Sequence, residues 1–187
     1  MTGQAAEAKF KGMYEAYHKQ VLAYCLRRSR SEGWDLAAET FAVAWTRIDV
    51  APDDEGALPW LYTIARNVLA NAHRKQASAA RLMARLGGAA RLSPVEPDTQ
   101  VVQRWEEQRL VEAVAQLRPN DKEVLRLVTW EELSHSQIAD VLGISVTAVG
   151  QRIHRASNRL RRHLKGSAKT ATTDTSIPRA AEEGRTA

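Results

Sequence analysis

The chain has 187 residues, 44% of them hydrophobic, with five Trp, a single Cys and a formal net charge of +5. That length allows one domain or two small ones, and the apolar content excludes a wholly disordered protein. No apolar run approaches the roughly 18 residues of a membrane span, no secretory segment is visible, and Cys25 alone cannot form an internal disulfide, so a reducing cytoplasm fits.

In chain order, a helical pattern begins near Lys9 and runs through Tyr14, Tyr17, Val21, Leu22 and Tyr24 to about Arg30. Gly33 interrupts it. Asp35 then opens a second helix, with Leu36, Phe41, Ala44, Trp45 and Ile48 as its apolar stripe. Pro52, Gly56 and Pro59, set among Asp53, Asp54 and Glu55, mark an exposed loop. Pro59 suits the first turn of a third helix, which carries Trp60, Leu61, Ile64, Val68 and Leu69 on one side and Arg66, Asn67, His73 and Arg74 elsewhere.

Residues 76–98 read as a linker, rich in Ala and Arg, containing Gly87-Gly88 and ending in Pro94 and Pro97, with a first half that has helical character. A fourth helix is expected from about Thr99 to Leu117, stopped by Pro119, and a fifth from Asp121 to Thr129. Ser134 with Gln137 three residues on has the form of a capping box and opens a sixth. Gly143 supplies a left-handed turn, Ser145 caps a seventh helix, and Val149, Ile153, Ala156 and Leu160 recur along it at helical spacing. Small Ala139 and β-branched Val149 let the last two helices cross closely. After Gly166 the chain is rich in Thr, Ala and Ser without apolar periodicity and is expected to be disordered. The fold class is therefore all-α: an N-terminal domain over 1–75, the linker, a C-terminal helix-turn-helix domain over 99–165, and a tail over 166–187.

Charge is unevenly distributed along this framework. Ser31 to Pro59 holds seven carboxylates against one Arg, and Trp60 to Pro94 six Arg or Lys with no carboxylate. Val95 to Asp140 is acidic, ten against five, whereas Gly143 to Lys165 carries five Arg and one Lys with no carboxylate. Two basic blocks separated by acidic ones point to two nucleic-acid faces on scaffolds with other duties.

Three blocks, in order, resemble the extracytoplasmic-function group of bacterial RNA polymerase sigma factors. They are Asp35-Leu36-Ala37-Ala38-Glu39-Thr40-Phe41 with Trp45, then Trp60-Leu61-Tyr62-Thr63-Ile64-Ala65-Arg66-Asn67 with Arg74, then the stretch from Leu117-Arg118-Pro119 to Arg155-Ala156. The resemblance spans about residues 9 to 165. It implies that Asp35, Glu39, Phe41 and Trp45 bind the clamp helices of the polymerase largest subunit, although Phe41 and Trp45, four apart, also fit a core stripe. It implies that the loop from Asp49 to Pro59 captures an unstacked base. Tyr62, Arg66, Asn67, Asn71, Arg74 and Lys75 would contact the minus-ten DNA, Tyr62 by stacking and the others at phosphates or bases. Ser145, Thr147, Gln151, Arg152, His154 and Arg155 would meet the minus-thirty-five element, with Gln151 suited to adenine and Arg155 to guanine or phosphate. The chain departs from the family pattern at Gly150, where Lys or Arg is common, and at Thr147-Ala148, which replaces a common Gly-Thr pair.

The implied partners are core RNA polymerase, through its clamp helices and flap, promoter DNA and an anti-sigma factor. The 23-residue linker, fully extended, spans roughly 75–80 Å at about 3.3–3.6 Å per residue, beyond two DNA turns of about 34–36 Å. Neither a phosphate-binding glycine loop nor a metal-spaced Cys/His cluster is present in the sequence, so no enzymatic activity and no cofactor are expected. The alternative is a stand-alone helix-turn-helix regulator that binds operator DNA without polymerase, which leaves the Asp35–Trp45 and Trp60–Asn67 blocks without a role.

Overall fold

A computed structural model describes residues 3–85 and 104–171, with side chains over 3–85 and 110–165. Among these residues there are seven α-helices and no strand: α1 (Gly3–Leu26), α2 (Gly33–Thr46), α3 (Ala57–Arg85), α4 (Arg104–Ala115), α5 (Pro119–Thr129), α6 (His135–Leu142) and α7 (Val146–Ala171). A single 3-10 turn, Ile48–Val50, follows α2. The all-α fold is thus as the sequence reads. α3 continues to Arg85, through the first half of the linker where the sequence shows helical character, whereas α7 differs from the expectation by continuing past Gly166 to Ala171. Residues 86–98 of the linker and 172–187 of the tail lie outside the described residues.

α1, α2 and α3 pack as a three-helix unit whose centre is Val21, Tyr24, Cys25, Ala44, Leu61 and Ala65, all fully buried. The α2 stripe supplies Leu36, Ala37, Phe41 and Ala44, and the one polar member of that face, Thr40, donates its hydroxyl to the Leu36 carbonyl at 2.7 Å. Burying that hydroxyl therefore leaves no unpaired donor. Each fully buried aliphatic side chain such as Leu61 stabilises the unit by about 1.5–3 kcal/mol relative to exposure.

Gly33 has a specific reason to be glycine. A Cβ built there would lie 2.9 Å from the Leu26 Cα and 2.7 Å from Leu26 Cδ2, so the end of α1 and the start of α2 touch backbone to backbone. Gly33→Ala is expected to destabilise the protein by about 1–3 kcal/mol through this overpacking. Urea denaturation would check it; an unchanged midpoint would show that the two helix ends can slide apart freely.

In the C-terminal unit, the Ser134 hydroxyl accepts from the Gln137 N–H and the Gln137 side chain accepts from the Ser134 N–H, completing the capping box. Gly143 adopts φ 64°, and its N–H together with that of Ile144 closes α6 on the Ala139 and Asp140 carbonyls. Ser145 Oγ accepts from the Ala148 N–H at 3.2 Å and starts α7. Ala139 and Val149 are both buried where α6 meets α7. Buried Asp121, in the first turn of α5, pairs with Arg159 and ties α5 to α7.

The two units also pack against each other. α6 lies on α3, and one connected apolar cluster takes in buried residues of both units, from Met13 to Ala156.

Candidate polymerase and promoter interfaces

On α2, Asp35 and Glu39 are exposed one helical turn apart, and neither forms an ion pair among the described residues. Phe41 turns inward and is 6% exposed, its ring edge-on to Tyr14 at 4.8 Å. Trp45 is 42% exposed and packs edge-on to Phe10 at 5.2 Å. The outward face of α2 thus offers two carboxylates and a half-open indole, while Phe41 belongs to the core that supports them. Trp34, next to Asp35 and 69% exposed, is a large apolar side chain on this surface that the sequence reading did not single out.

On α3 the six minus-ten candidates divide between two faces. Asn67, Asn71, Arg74 and Lys75 are exposed, with the Arg74 guanidinium bonded to the Asn71 side-chain oxygen. Tyr62 is only 2% exposed and stacks on Tyr24 with ring centroids 4.7 Å apart. Arg66 is half-buried in the wall of a cleft of about 480 Å³ together with His73, Lys122 and Arg126. Helical spacing places residues 62, 66, 69 and 73 along one stripe, and that stripe faces the C-terminal unit.

The loop before α3 is pinned by Lys9, whose Nζ reaches the Ala51 carbonyl and, at 2.7 Å, Asp53 Oδ1. Asp54 Oδ1 accepts from the Gly56 N–H at 2.9 Å.

On the first turns of α7, Ser145, Thr147, Gln151, His154 and Arg155 are all exposed, and Arg152 is half-buried. Arg155 Nε reaches the Gln151 carbonyl at 3.3 Å, and His154 lies 3.2 Å from the Asn158 side-chain nitrogen. A Cβ at Gly150 would meet nothing within 4 Å, so a side chain here would be accommodated without displacing a neighbour. No carboxylate occurs on α7, which gives its outer face an undiluted positive potential.

Between the units lies a charged cluster absent from the sequence-based candidates. Arg28 Nη2 and Nε bond Glu123 at 2.9 and 3.1 Å, and its Nη1 reaches Glu131 Oε1 at 3.0 Å. Arg27 pairs with the other oxygen of Glu131. The Tyr24 hydroxyl donates to Glu123 at 3.0 Å, and the Arg28 guanidinium sits 3.4 Å over the Tyr24 ring. Burial pulls the Arg28 pKa down, but Tyr24, Glu123 and Glu131 outweigh it and hold the guanidinium more firmly charged than usual. Arg126, by contrast, is lowered by burial and by its neighbour Arg28.

Burial also raises the Tyr24 and Tyr62 hydroxyls above their ordinary 10.0, and pushes the Cys25 thiol from 9.0 up to about 11. All three groups are neutral when protonated, so a raised folded pKa favours the fold while they keep their protons. That contribution is complete below about pH 9 and is lost as pH rises through the folded values. The thermal midpoint is therefore expected to hold from pH 7 to 9 and fall steeply above 10; calorimetry showing no drop by pH 11 would contradict it.

The geometry defines a two-domain helical protein with an exposed acidic face on α2, a basic helix and a basic helix-turn-helix. Residues 13–79 match the family described as Sigma-70 region 2, and residues 107–160 the one described as Sigma-70, region 4. The chain is 26% identical over 158 residues to the RNA polymerase sigma factor YlaC of Bacillus subtilis, covering 83% of this chain and 91% of that protein. It is 33% identical over 174 residues to the ECF RNA polymerase sigma factor BldN of Streptomyces coelicolor, covering 89% and 64%. Its fold is similar to the sigma factor RpoE of Bartonella quintana, solved with the anti-sigma factor NepR, with a TM-score of 0.61 at 22% identity over 83% and 96% of the two chains. The chain belongs to the RNA polymerase sigma factors, in the extracytoplasmic-function group, and directs transcription initiation.

No helix among the described residues is long and apolar enough to cross a membrane, and none of their side chains cluster as a metal site.

Proposed function

We propose that the three surfaces divide the work of initiation. The exposed α2 face, with Asp35, Glu39 and Trp45 backed by Phe41, docks on the clamp helices of core polymerase. α3 binds the minus-ten strand through Asn67, Asn71, Arg74 and Lys75 on its open face and the half-buried Arg66, while Tyr62, stacked on Tyr24, supports the helix from within. The first turns of α7 enter the major groove at the minus-thirty-five element with Thr147, Gln151 and Arg155 at base edges and Ser145, Arg152 and His154 supporting them at the backbone. Residues 76–98 span the interval between the elements. Opening draws on binding energy alone, so the chain acts without catalysis or cofactor, in the cytoplasm where polymerase is found. An anti-sigma factor as regulator is part of the proposal, suggested by the complex of RpoE with NepR.

The observation that carries this reading is the presence, on one chain, of two separate basic exposed faces on α3 and α7 and an unpaired acidic face on α2. An operator-binding regulator has no use for the last. The test is a pull-down of purified core polymerase with the protein, followed by runoff transcription on fragmented genomic DNA. Binding with specific starts supports the reading. Specific duplex binding without polymerase binding would overturn it.

A further inference from the structure

The cleft that Arg66 borders holds more positive charge than its own carboxylates balance. It measures about 480 Å³, and its walls carry four cations, Arg28, Arg66, Lys122 and Arg126, against one carboxylate, Glu123. Glu123 is already engaged, accepting from Arg28 at 2.9 Å and from the Tyr24 hydroxyl at 3.0 Å. Arg28 is satisfied too, by Glu123 and Glu131 together. The other three cations have no counter-charge. Lys122 reaches only a carbonyl, that of Ala115, at 2.7 Å. Arg66 is half-buried and makes no ion pair or side-chain hydrogen bond among the described residues. The Nε of Arg126 is buried with no hydrogen-bond partner among them.

A buried donor without a partner costs free energy, and like charges gathered in a recess repel more strongly than they do in water. Arg126 shows both effects, since burial and the neighbouring Arg28 lower its pKa. A ligand of opposite sign would relieve them together. The donor set narrows its chemistry. Guanidinium forks and an ammonium suit phosphate oxygens, and Arg binds phosphate through two parallel N–H bonds. Pro119 and Asn120, at the start of α5, line the same cleft, and Arg118 gives that helix no side-chain cap. First-turn N–H groups and the positive end of the helix dipole therefore add to the cations.

The cleft is larger than one phosphate needs. It falls within the range of about 300–1,000 Å³ for small-molecule sites, and Leu69 and Ala70 give it an apolar wall on α3. A backbone phosphodiester carries a single charge and must bring its strand into the recess. A terminal phosphate carries roughly −1.5 to −2 at neutral pH and enters alone.

We infer that this cleft binds a small molecule bearing a terminal phosphate or pyrophosphate group, held by Arg66 from α3 and by Lys122 and Arg126 from α5. The ligand bridges the two units. It also occupies Arg66, and so competes with the minus-ten strand for that side chain; this consequence alone rests on the assignment of α3 to the minus-ten element.

The test is isothermal titration of the full chain with pyrophosphate, without divalent cations and with sodium chloride matched for ionic strength in every sample. One saturable site is expected, with a thermal midpoint that rises as the ligand is added. Arg66→Gln and Arg126→Gln, one in each unit, should each weaken binding at least about tenfold, the loss of one charge-assisted pair. Arg162→Gln, which removes the same charge from an exposed position on α7, should leave it unchanged. Far-UV circular dichroism establishes that each variant keeps its helices. Sulfate and a dinucleotide without a terminal phosphate are the comparison ligands, each expected to bind at least about tenfold more weakly.

No saturable heat and no rise in midpoint with pyrophosphate overturns the site. So do three other results: sulfate binding as tightly, which marks an adventitious ion only; the dinucleotide binding as tightly, which gives the cleft to backbone phosphates; and equal losses in all three arginine variants, which reduce the effect to net charge. No arm contains polymerase or promoter, so failure of the proposed function is read separately, as no retention of core polymerase in the pull-down.

Discussion

Asp35→Lys/Glu39→Lys is expected to weaken binding to core polymerase by on the order of 100-fold while leaving the fold intact. Both carboxylates are exposed and free of ion pairs among the described residues, so neither stabilises the α2 core directly. On the proposed docking, the acidic face calls for a cationic partner surface, against which reversed charge replaces attraction with repulsion; like-charge juxtaposition across an interface costs several kcal/mol, and about 1.4 kcal/mol is tenfold in affinity. One intramolecular cost must be set aside. Asp35 occupies the first turn of α2, where a carboxylate complements the helix dipole, so a lysine there also lowers helix stability by about 0.3–1 kcal/mol. Asp35→Asn removes the charge without adding repulsion and separates the two effects. The contrast is Phe41→Ala, which empties a buried site and is expected to cost about 3–5 kcal/mol of folding stability, with weaker polymerase binding only as a by-product. Affinity by biolayer interferometry and midpoint by calorimetry, on the same preparations, resolve the pattern. A charge-reversed protein that binds polymerase normally would remove α2 from the docking surface.

Sequence legibility followed the range of the interactions. The Ser134–Gln137 capping box, the left-handed Gly143 and the Ser145 cap involve residues no more than three or four apart, so a single sequence displays them completely. The exposed stripe Asn67, Asn71, Arg74 and Lys75 and the outer face of α7 follow from helical spacing and from blocks of one charge sign. Tyr62 could not be placed the same way. Its neighbours along α3 give it a position on the helix, but its burial depends on Tyr24 and on Glu131, which lie 38 and 69 residues away. Arg27 and Arg28 read as an ordinary basic end to α1, and Glu123 and Glu131 as part of an acidic stretch; their pairing emerges only when the units meet. Gly33 was visible as an interruption, but its cause, the approach of Leu26, was not. The end of α7 was read short because a segment of small and polar residues without an apolar stripe favours helix through propensity alone, a signal weaker than periodicity.

Arg155→Ala and Arg66→Ala should impair different steps. Arg155 is exposed on α7 and held only by a 3.3 Å bond from its own Nε to the Gln151 carbonyl, so its terminal nitrogens are available to a base edge or phosphate. A good bidentate base contact is worth about 1–3 kcal/mol, which predicts a loss of about 5- to 150-fold in upstream duplex affinity and relaxed preference at one base pair. Arg66 sits on α3 beside the interdomain cleft, away from that groove. Its removal should leave upstream protection intact and reduce strand opening at the minus-ten element. It should also lower the salt dependence of opening by about one unit of slope if it neutralises a phosphate. The two residues lie on different helices, so the two losses should not compensate each other, and the double variant should show both. DNase protection reads the upstream step and permanganate reactivity of unpaired thymines reads the downstream one, each with polymerase holoenzyme reconstituted from the variant. Equal loss of both signals in both variants would mean that the two helices act as one surface, and the division of labour between α3 and α7 would have to be abandoned.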